Sequence, residues 1–257
     1  MTLQNSAPGS IQNMLQPLTN EGLRFNCHPG VPCFTECCRD LNLLLTPYDI
    51  VRLKNRLALD AGEFLDKYTE LRFDEGKSLA MIYLQMQENE RRTCPFVSAA
   101  GCEIYADRPS ACRIYPLARA SRMNRRHGNV QENYFVLREA HCKGFDEDLL
   151  WAAEEWIKDQ GLELYHELNN LWMAIITHAK LRNGTLSEKQ QQMFVMASYN
   201  IDKFRKFVLE SRFLQAFDLP RQEVEALRAD DEVLLRLAFK WLSFSLCNEP
   251  ALTMRQR

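Results

Sequence analysis

Eight cysteines between Cys27 and Cys142 are the residues of this chain whose type and spacing point most directly to chemistry. Cys27, Cys33, Cys37 and Cys38 form a first group; Cys94 and Cys102 follow, then Cys112, and Cys142 closes the set. Thiolates are soft ligands, suited to zinc, copper(I) and iron–sulfur clusters rather than to magnesium or calcium. The N-terminal residues lack the basic start and apolar stretch of a secretory signal, so the expected compartment is the cytoplasm, where thiols stay reduced and disulfides are rare. Metal binding therefore explains the clustering better than a disulfide framework does, and a redox thiol protein is the main rival. All eight are candidate metal ligands. Cys247 lies apart in an apolar helical stretch and reads as a core residue.

A metal held by cysteines needs them brought from loops that can wrap around it. Pro29, Gly30, Pro32, Pro95, Gly101 and Pro109 each break regular structure close to a thiol. In an extended segment the adjacent Cys37 and Cys38 point in opposite directions. They would then serve two nearby metals, or one would ligate while the other packs. Eight thiols suffice for two four-cysteine sites, for a cluster plus a zinc, or for one smaller site with spare cysteines. The spacing follows neither the paired C-x2-C zinc ribbon nor the ferredoxin runs. His28 and His141 adjoin cysteines and are secondary candidate ligands. His127 sits in a polar loop, and His166 and His178 fall on expected helices as structural or exposed residues.

The elements that must position these thiols look short and mixed over residues 23–145. Thr46-Pro47-Tyr48-Asp49 predicts a helix start, with Thr as N-cap, Pro at the first position and Asp at the third. A second start falls at Asp60, with Glu63 closing the box. Leu79 to Gln87 and Tyr134 to Leu137 read as strands, and Cys94 to Pro116 as loop with one short helical turn. After Phe145 the pattern turns helical: Glu147 to Asp159, Leu162 to Arg182, Ser187 to Arg212, a short helix from Pro220 and another from Asp230. Trp151, Trp156, Tyr165, Trp172, Phe194, Tyr199, Phe204 and Phe207 recur at helical spacing and are expected to form core. The expected fold is α+β, mainly α. It comprises a flexible tail over 1–22, a cysteine-cluster metal-binding region over 23–145, and a helical region over 146–257 packed on it.

The cysteines and their neighbours also carry a resemblance. Cys27-x5-Cys33-x3-Cys37-Cys38, Cys94-Pro95-Phe96, Cys102-Glu103-Ile104-Tyr105, Arg108-Pro109-x2-Cys112-Arg113-x-Tyr115-Pro116 and Cys142-Lys143-Gly144 together resemble the bacterial zinc- or iron-chelating cysteine-cluster (CxxCxxCC) family, to which flagellin lysine-N-methylase is similar. The likeness runs from Phe25 to Gly144, and its first group has gaps of five and three residues where the hallmark has two and two. The resemblance implies metal chelation, and more distantly methyl transfer. Arg108 and Arg113 are candidate charge partners of the thiolates or, alternatively, ordinary salt-bridge and backbone-capping residues. Tyr105 and Tyr115 read as packing around the loop.

Other functions find little support. The net charge of −2 and pI near 6.2 give no reason to expect nucleic acid as a partner, and no apolar run is long enough for a membrane helix. There is no G-x-G-x-x-G, P-loop or H-E-x-x-H. The basic run Arg119, Arg122, Arg125, Arg126 reads as a solvated loop. The functional expectation is a metal-binding protein holding zinc or an iron–sulfur cluster. The alternatives are an iron–sulfur enzyme of redox chemistry or protein-lysine methylation, and a metal-handling module that docks a protein partner.

Overall fold

A computed structural model describes residues 14–19, 21–73, 79–124 and 129–255. Most of the tail expected over Met1–Asn20 lies outside the described residues, as do Arg125, Arg126 and His127. In chain order the elements begin with β1 (Leu15–Pro17), β2 (Leu23–Arg24), a 3-10 turn (Glu36–Cys38), β3 (Leu44–Leu45), α1 (Pro47–Leu57), α2 (Ala61–Tyr68), β4 (Thr69–Phe73) and β5 (Ala80–Leu84). They continue with β6 (Val97–Ser98), β7 (Gly101–Cys102), a 3-10 turn (Tyr105–Asp107), α3 (Ser110–Ile114), β8 (Leu117–Asn124), β9 (Asn129–Leu137) and β10 (Leu150–Trp151). The helices α4 (Ala153–Asp159), α5 (Glu163–Ile176), α6 (Ala179–Asn183), α7 (Glu188–Tyr199), α8 (Ile201–Glu210), α9 (Phe213–Ala216), α10 (Arg221–Ala226) and α11 (Asp231–Leu242) complete the order. The fold is α+β, with the strands early and the helices late.

The caps act as their residue types predict. Thr46 accepts a hydrogen bond from Asp49 N–H while Asp49 accepts one from Thr46 N–H, and Asp60 and Glu63 form the same kind of box ahead of α2. Three expectations are corrected. The helix expected from Glu147 starts only at Ala153, because Leu150 and Trp151 pair as a strand with β2. The long helices are cut by internal caps: His178 accepts from Lys180 N–H, and Asn200 from Lys203 N–H. Apolar periodicity runs through both breaks and conceals them. Arg119 and Arg122 lie not in a loop but in β8, which pairs with β9 from Leu117↔Val136 to Asn124↔Asn129.

The chain folds as two compact units, Met1–Leu44 with Leu84–His166, and Leu45–Tyr83 with Glu167–Arg257. All eight clustered cysteines belong to the first. That unit has a core of Leu23, Phe25, Leu117, Val136, Phe145 and Trp156. The Phe25 ring meets Tyr115, Phe145 and Trp156 edge-on, at centroid distances of 5.9, 5.2 and 5.6 Å. Trp156 Nε1 donates to Ile114 O at 3.0 Å, and Trp151 Nε1 donates to Phe25 O at 2.9 Å. These aromatic residues fix the chain beside Cys27, Cys112 and Cys142.

The second unit packs Phe204, Phe207, Phe213 and Trp241 around one another, and sets Tyr199 against Trp172 and Phe194. Beneath α1 lies a buried charge network. Lys54 Nζ meets Asp231 at 3.0 Å and Asp202 at 3.3 Å, and Asp231 also pairs with Arg205. Asp202 accepts Ala61 N–H at 2.8 Å, tying α8 to the start of α2. Removing one member of a buried pair strands its partners' charge, at a cost of about 3–5 kcal/mol. Asp231→Ala is accordingly expected to lower the urea midpoint strongly. Glu225→Ala, which breaks an exposed pair with Arg228, is expected to cost less than about 1 kcal/mol. Equal shifts in paired urea titrations would refute this assignment.

Candidate metal centre

Four separate stretches of the first unit supply the thiols, and backbone hydrogen bonds stitch them together. Cys27 to Cys38 run through successive tight turns, with Val31 N–H donating to His28 O, Phe34 N–H to Val31 O, Glu36 N–H to Cys33 O and Cys38 N–H to Thr35 O. Thr35 takes a left-handed φ of 69° just before the 3-10 turn that carries Cys37 and Cys38. The two are therefore not in an extended segment but in a tight 3-10 turn, so the alternation expected of a strand does not apply to them. Cys94 N–H donates to Cys38 O at 2.8 Å, and Asp40 N–H donates to Arg92 O at 2.8 Å, joining the second stretch to the first.

Cys94 and Cys102 are linked by a small hairpin in which Val97 pairs with Cys102. Gly101 turns it with φ +116°, a conformation that side-chain-bearing residues rarely adopt, and a Cβ there would lie 3.1 Å from the Phe34 ring. Cys112 stands on α3, which starts after Pro109. Cys142 closes a turn in which its N–H donates to Glu139 O. The next amide, Lys143 N–H, donates to Cys33 Sγ at 3.0 Å. Asn26 N–H donates to Gly144 O at 2.9 Å, so Cys27 adjoins the same turn.

All nine cysteines are free thiols. Burial pushes Cys27 and Cys94 up to about 11, with neighbouring thiols adding to the shift. Cys102, Cys112 and Cys142 are also raised, by burial first. Cys37 is raised by its hydrogen bond to Cys38, then by burial. The common cause is burial, which disfavours the charged thiolate, with repulsion from neighbouring thiolates adding to it. Several donors already favour the thiolate form. The backbone amides of Phe96, Ile104 and Gly144, each two residues after its cysteine, lower Cys94, Cys102 and Cys142. The Arg108 guanidinium lowers Cys27 and Cys102.

Arg108 and Arg113 are both buried and both cap backbone. Arg108 donates to Tyr105 O at 2.6 Å and to Gln160 Oε1; Arg113 donates to Gln160 O at 2.6 Å and Ala106 O at 2.5 Å. Both expected roles thus coexist in Arg108, while Arg113 is a scaffold residue. Tyr115 does more than pack. Its buried hydroxyl has no partner at full hydrogen-bond geometry and faces the Cys142 thiol, which its O–H stabilises as thiolate. The Phe96, Ile104, Lys143 and Gly144 amides and the Tyr115 hydroxyl are the site groups that side-chain reasoning missed. The short Cys94-Pro95-Phe96 and Cys142-Lys143-Gly144 runs were their only trace in the sequence. The histidines turn elsewhere: His28 pairs with Glu147 at 3.3 Å and His141 with Glu139 at 3.9 Å.

Among the described residues, no three Cys, His, Asp or Glu side chains converge at the spacing of a metal's ligand shell. Lys143 N–H meets Cys33 Sγ at 3.0 Å, and neighbouring thiols add to the raised pKa of Cys27, Cys94 and Cys112. The donor set still fits a thiophilic metal. It is rich in sulfur, amide N–H groups are aimed at sulfur, and a bound cation would offset the repulsion between thiolates that raises their pKa values.

Residues 26–143 match the model of the CxxCxxCC family, described as a putative zinc- or iron-chelating domain. The match supports metal binding. It spans every clustered cysteine together with the inserted segment 45–83 of the second unit. No curated protein and no solved structure matches the chain.

A second polar group lies on the hairpin. Glu132 pairs with Arg119 and accepts the Tyr134 O–H at 2.6 Å, and the Tyr134 ring lies tilted beside His166 with centroids 6.3 Å apart. Arg119 holds the Glu132 carboxyl down to about 2. Burial, then Arg119, lower His166 from 6.5 to about 4. Between those two values the unfolded chain takes up a proton that the folded chain refuses, so the His166 contribution lowers stability as pH drops from 6.5 to 4 and is constant below, where the depressed Glu132 carboxyl continues the fall toward pH 2. His166→Gln is expected to flatten that part of the urea-midpoint profile; an unchanged slope would show that His166 is not its source.

Proposed function

We propose that this chain is a metal-binding protein whose thiols Cys27, Cys33, Cys37, Cys38, Cys94, Cys102, Cys112 and Cys142 hold zinc or iron, and that the metal's role is chiefly structural. The observation that carries the reading is the gathering of eight free thiols from four stretches of one unit, with amide N–H groups directed at their sulfurs. A bound metal of this kind supplies the cross-link and the positive charge that the thiolates lack. The chain's own residues do the rest. The turns at Cys33–Cys38 and Glu139–Cys142 present the sulfurs, the amides and Tyr115 favour their anionic form, and Arg108 balances part of the charge. A sulfur-only donor set favours closed coordination, which marks structural rather than catalytic sites. The reading places the protein in a reducing compartment, the cytoplasm, where such thiols persist.

The deciding measurement is the metal and acid-labile sulfide content of protein purified without oxygen. Zinc without sulfide is the expected result for a structural centre. Iron with sulfide would turn the reading toward redox chemistry or protein-lysine methylation. A folded, metal-free protein would overturn it. Stripping the metal with a strong chelator is expected to loosen the β8–β9 unit, seen as faster amide exchange there, and to leave the α7, α8 and α11 helices of the second unit protected. Uniform loss of protection in both units would contradict a locally structural metal.

A further inference from the structure

Among the described residues three cationic side chains are buried: Lys54, Arg108 and Arg113. Lys54, in the second unit, is met by the carboxylates of Asp202 and Asp231. The two arginines of the thiol-bearing unit meet no described carboxylate. Arg108 donates to Tyr105 O at 2.6 Å and to Gln160 Oε1, and Arg113 donates to Ala106 O at 2.5 Å and to Gln160 O at 2.6 Å. Tyrosine rings cover their faces: the Arg108 guanidinium lies 3.8 Å from the Tyr105 ring centroid, and that of Arg113 lies 4.9 Å from the Tyr165 centroid. Every one of these partners is neutral. A buried cation without a counter-ion is costly, so the Arg108 charge calls for an anion nearby.

Both arginines converge on Gln160. This residue caps the end of α4, with its N–H donating to Trp156 O at 2.9 Å. Its side chain is buried, and Nε2 donates to Asp159 Oδ2 at 2.7 Å, which leaves Oε1 turned to Arg108. One turn earlier, Trp156 Nε1 donates to Ile114 O at 3.0 Å, at the end of α3. The helix that carries Cys112 is thus held from a segment that lies beyond the family match over 26–143. We infer that Gln160 is a positioning residue of the thiol site: as a neutral acceptor it fixes the buried Arg108 guanidinium within the segment that carries Cys102 and Cys112, and leaves its charge free to balance an anionic metal–thiolate centre. The inference rests on the metal-binding reading above and deepens it.

An amide at position 160, where a carboxylate would fit, is the telling choice. Glutamine and glutamate have nearly the same shape, and a carboxylate is the stronger acceptor for a guanidinium. A residue that served only as scaffold would do so better as glutamate. A dication held by several thiolates keeps a net negative charge, and a fixed cation close by offsets it where screening by water is weak. Arg108 already acts in that sense on Cys27 and Cys102. A carboxylate at position 160 would cancel that effect without moving a cysteine.

The test loads the full chain with zinc under reducing conditions and measures its retention against a chromophoric chelator. The unaltered chain is compared with Gln160→Glu and Gln160→Met, with circular dichroism as the check on folding. Gln160→Glu is expected to weaken zinc binding by about tenfold, the size of one charge–charge interaction at intermediate dielectric. Gln160→Met removes the acceptor but leaves the Arg108 charge, and is expected to weaken binding less. Unchanged or tighter binding by Gln160→Glu would overturn the inference. So would a larger loss in Gln160→Met, which would mark Gln160 as a mechanical latch alone. Should Gln160→Glu fail to fold, the Arg108 Nε–H resonance of the unaltered chain carries the test. It should shift on zinc loading by more than that of the exposed Arg228, and an equal shift would overturn the inference. A folded, unaltered chain that binds neither zinc nor ferrous iron would overturn the metal-binding reading itself, and this inference with it.

Discussion

Sulfur atoms far apart in the chain are kept side by side by backbone amides. Lys143 N–H reaches Cys33 Sγ across 110 residues, and Cys94 N–H reaches Cys38 O. Thiols massed in this way repel one another once ionised, and burial raises that cost further. The surrounding structure therefore has to hold them against their own electrostatics. Phe25 wedged among Tyr115, Phe145 and Trp156 does so mechanically. The amides two residues beyond Cys94, Cys102 and Cys142 do so electrically.

The same constraint explains why the thiol-bearing segments of the first unit are mainly turns and short elements. A helix or long strand sends successive side chains along fixed directions, whereas turns can point several sulfurs inward from one short stretch. The Pro and Gly residues near Cys27, Cys33, Cys94, Cys102 and Cys112 make those turns inexpensive. Gly101 is the clearest case, since its positive φ strains any side chain and a Cβ would crowd the Phe34 ring. The second unit needs no such device. It has a conventional aromatic core around Phe204 and Trp241, and its Lys54–Asp231–Arg205 network is paired.

The local features were readable in advance. Thr46, Pro47 and Asp49 start α1 where their types say they should, as do Asp60 and Glu63 for α2, because a cap depends on residues only a few positions apart. Features set by distant partners were not. Arg119 and Arg122 looked like a solvated loop because their strand has little apolar alternation; only pairing with residues 129–137 makes it a strand. The Leu150–Trp151 strand was hidden in the same way by its dependence on Leu23 and Arg24. At Asn200 the apolar stripe continues through the break, so the period alone could not reveal a cap.

The sequence by itself determined the chemistry available: cysteines in unusual number, turn-forming neighbours beside them, and therefore a thiophilic site. Tertiary structure decided how those cysteines are grouped. It placed all eight in one unit although residues 45–83 of another interrupt them, put Cys37 and Cys38 in a 3-10 turn, and set Tyr115 and the amide donors against sulfur. The physical reason is the range of the forces involved. Soft-ligand character belongs to the side chain and can be read from its type. The field around each thiol comes from groups up to a hundred residues away, and only the folded chain brings them within reach.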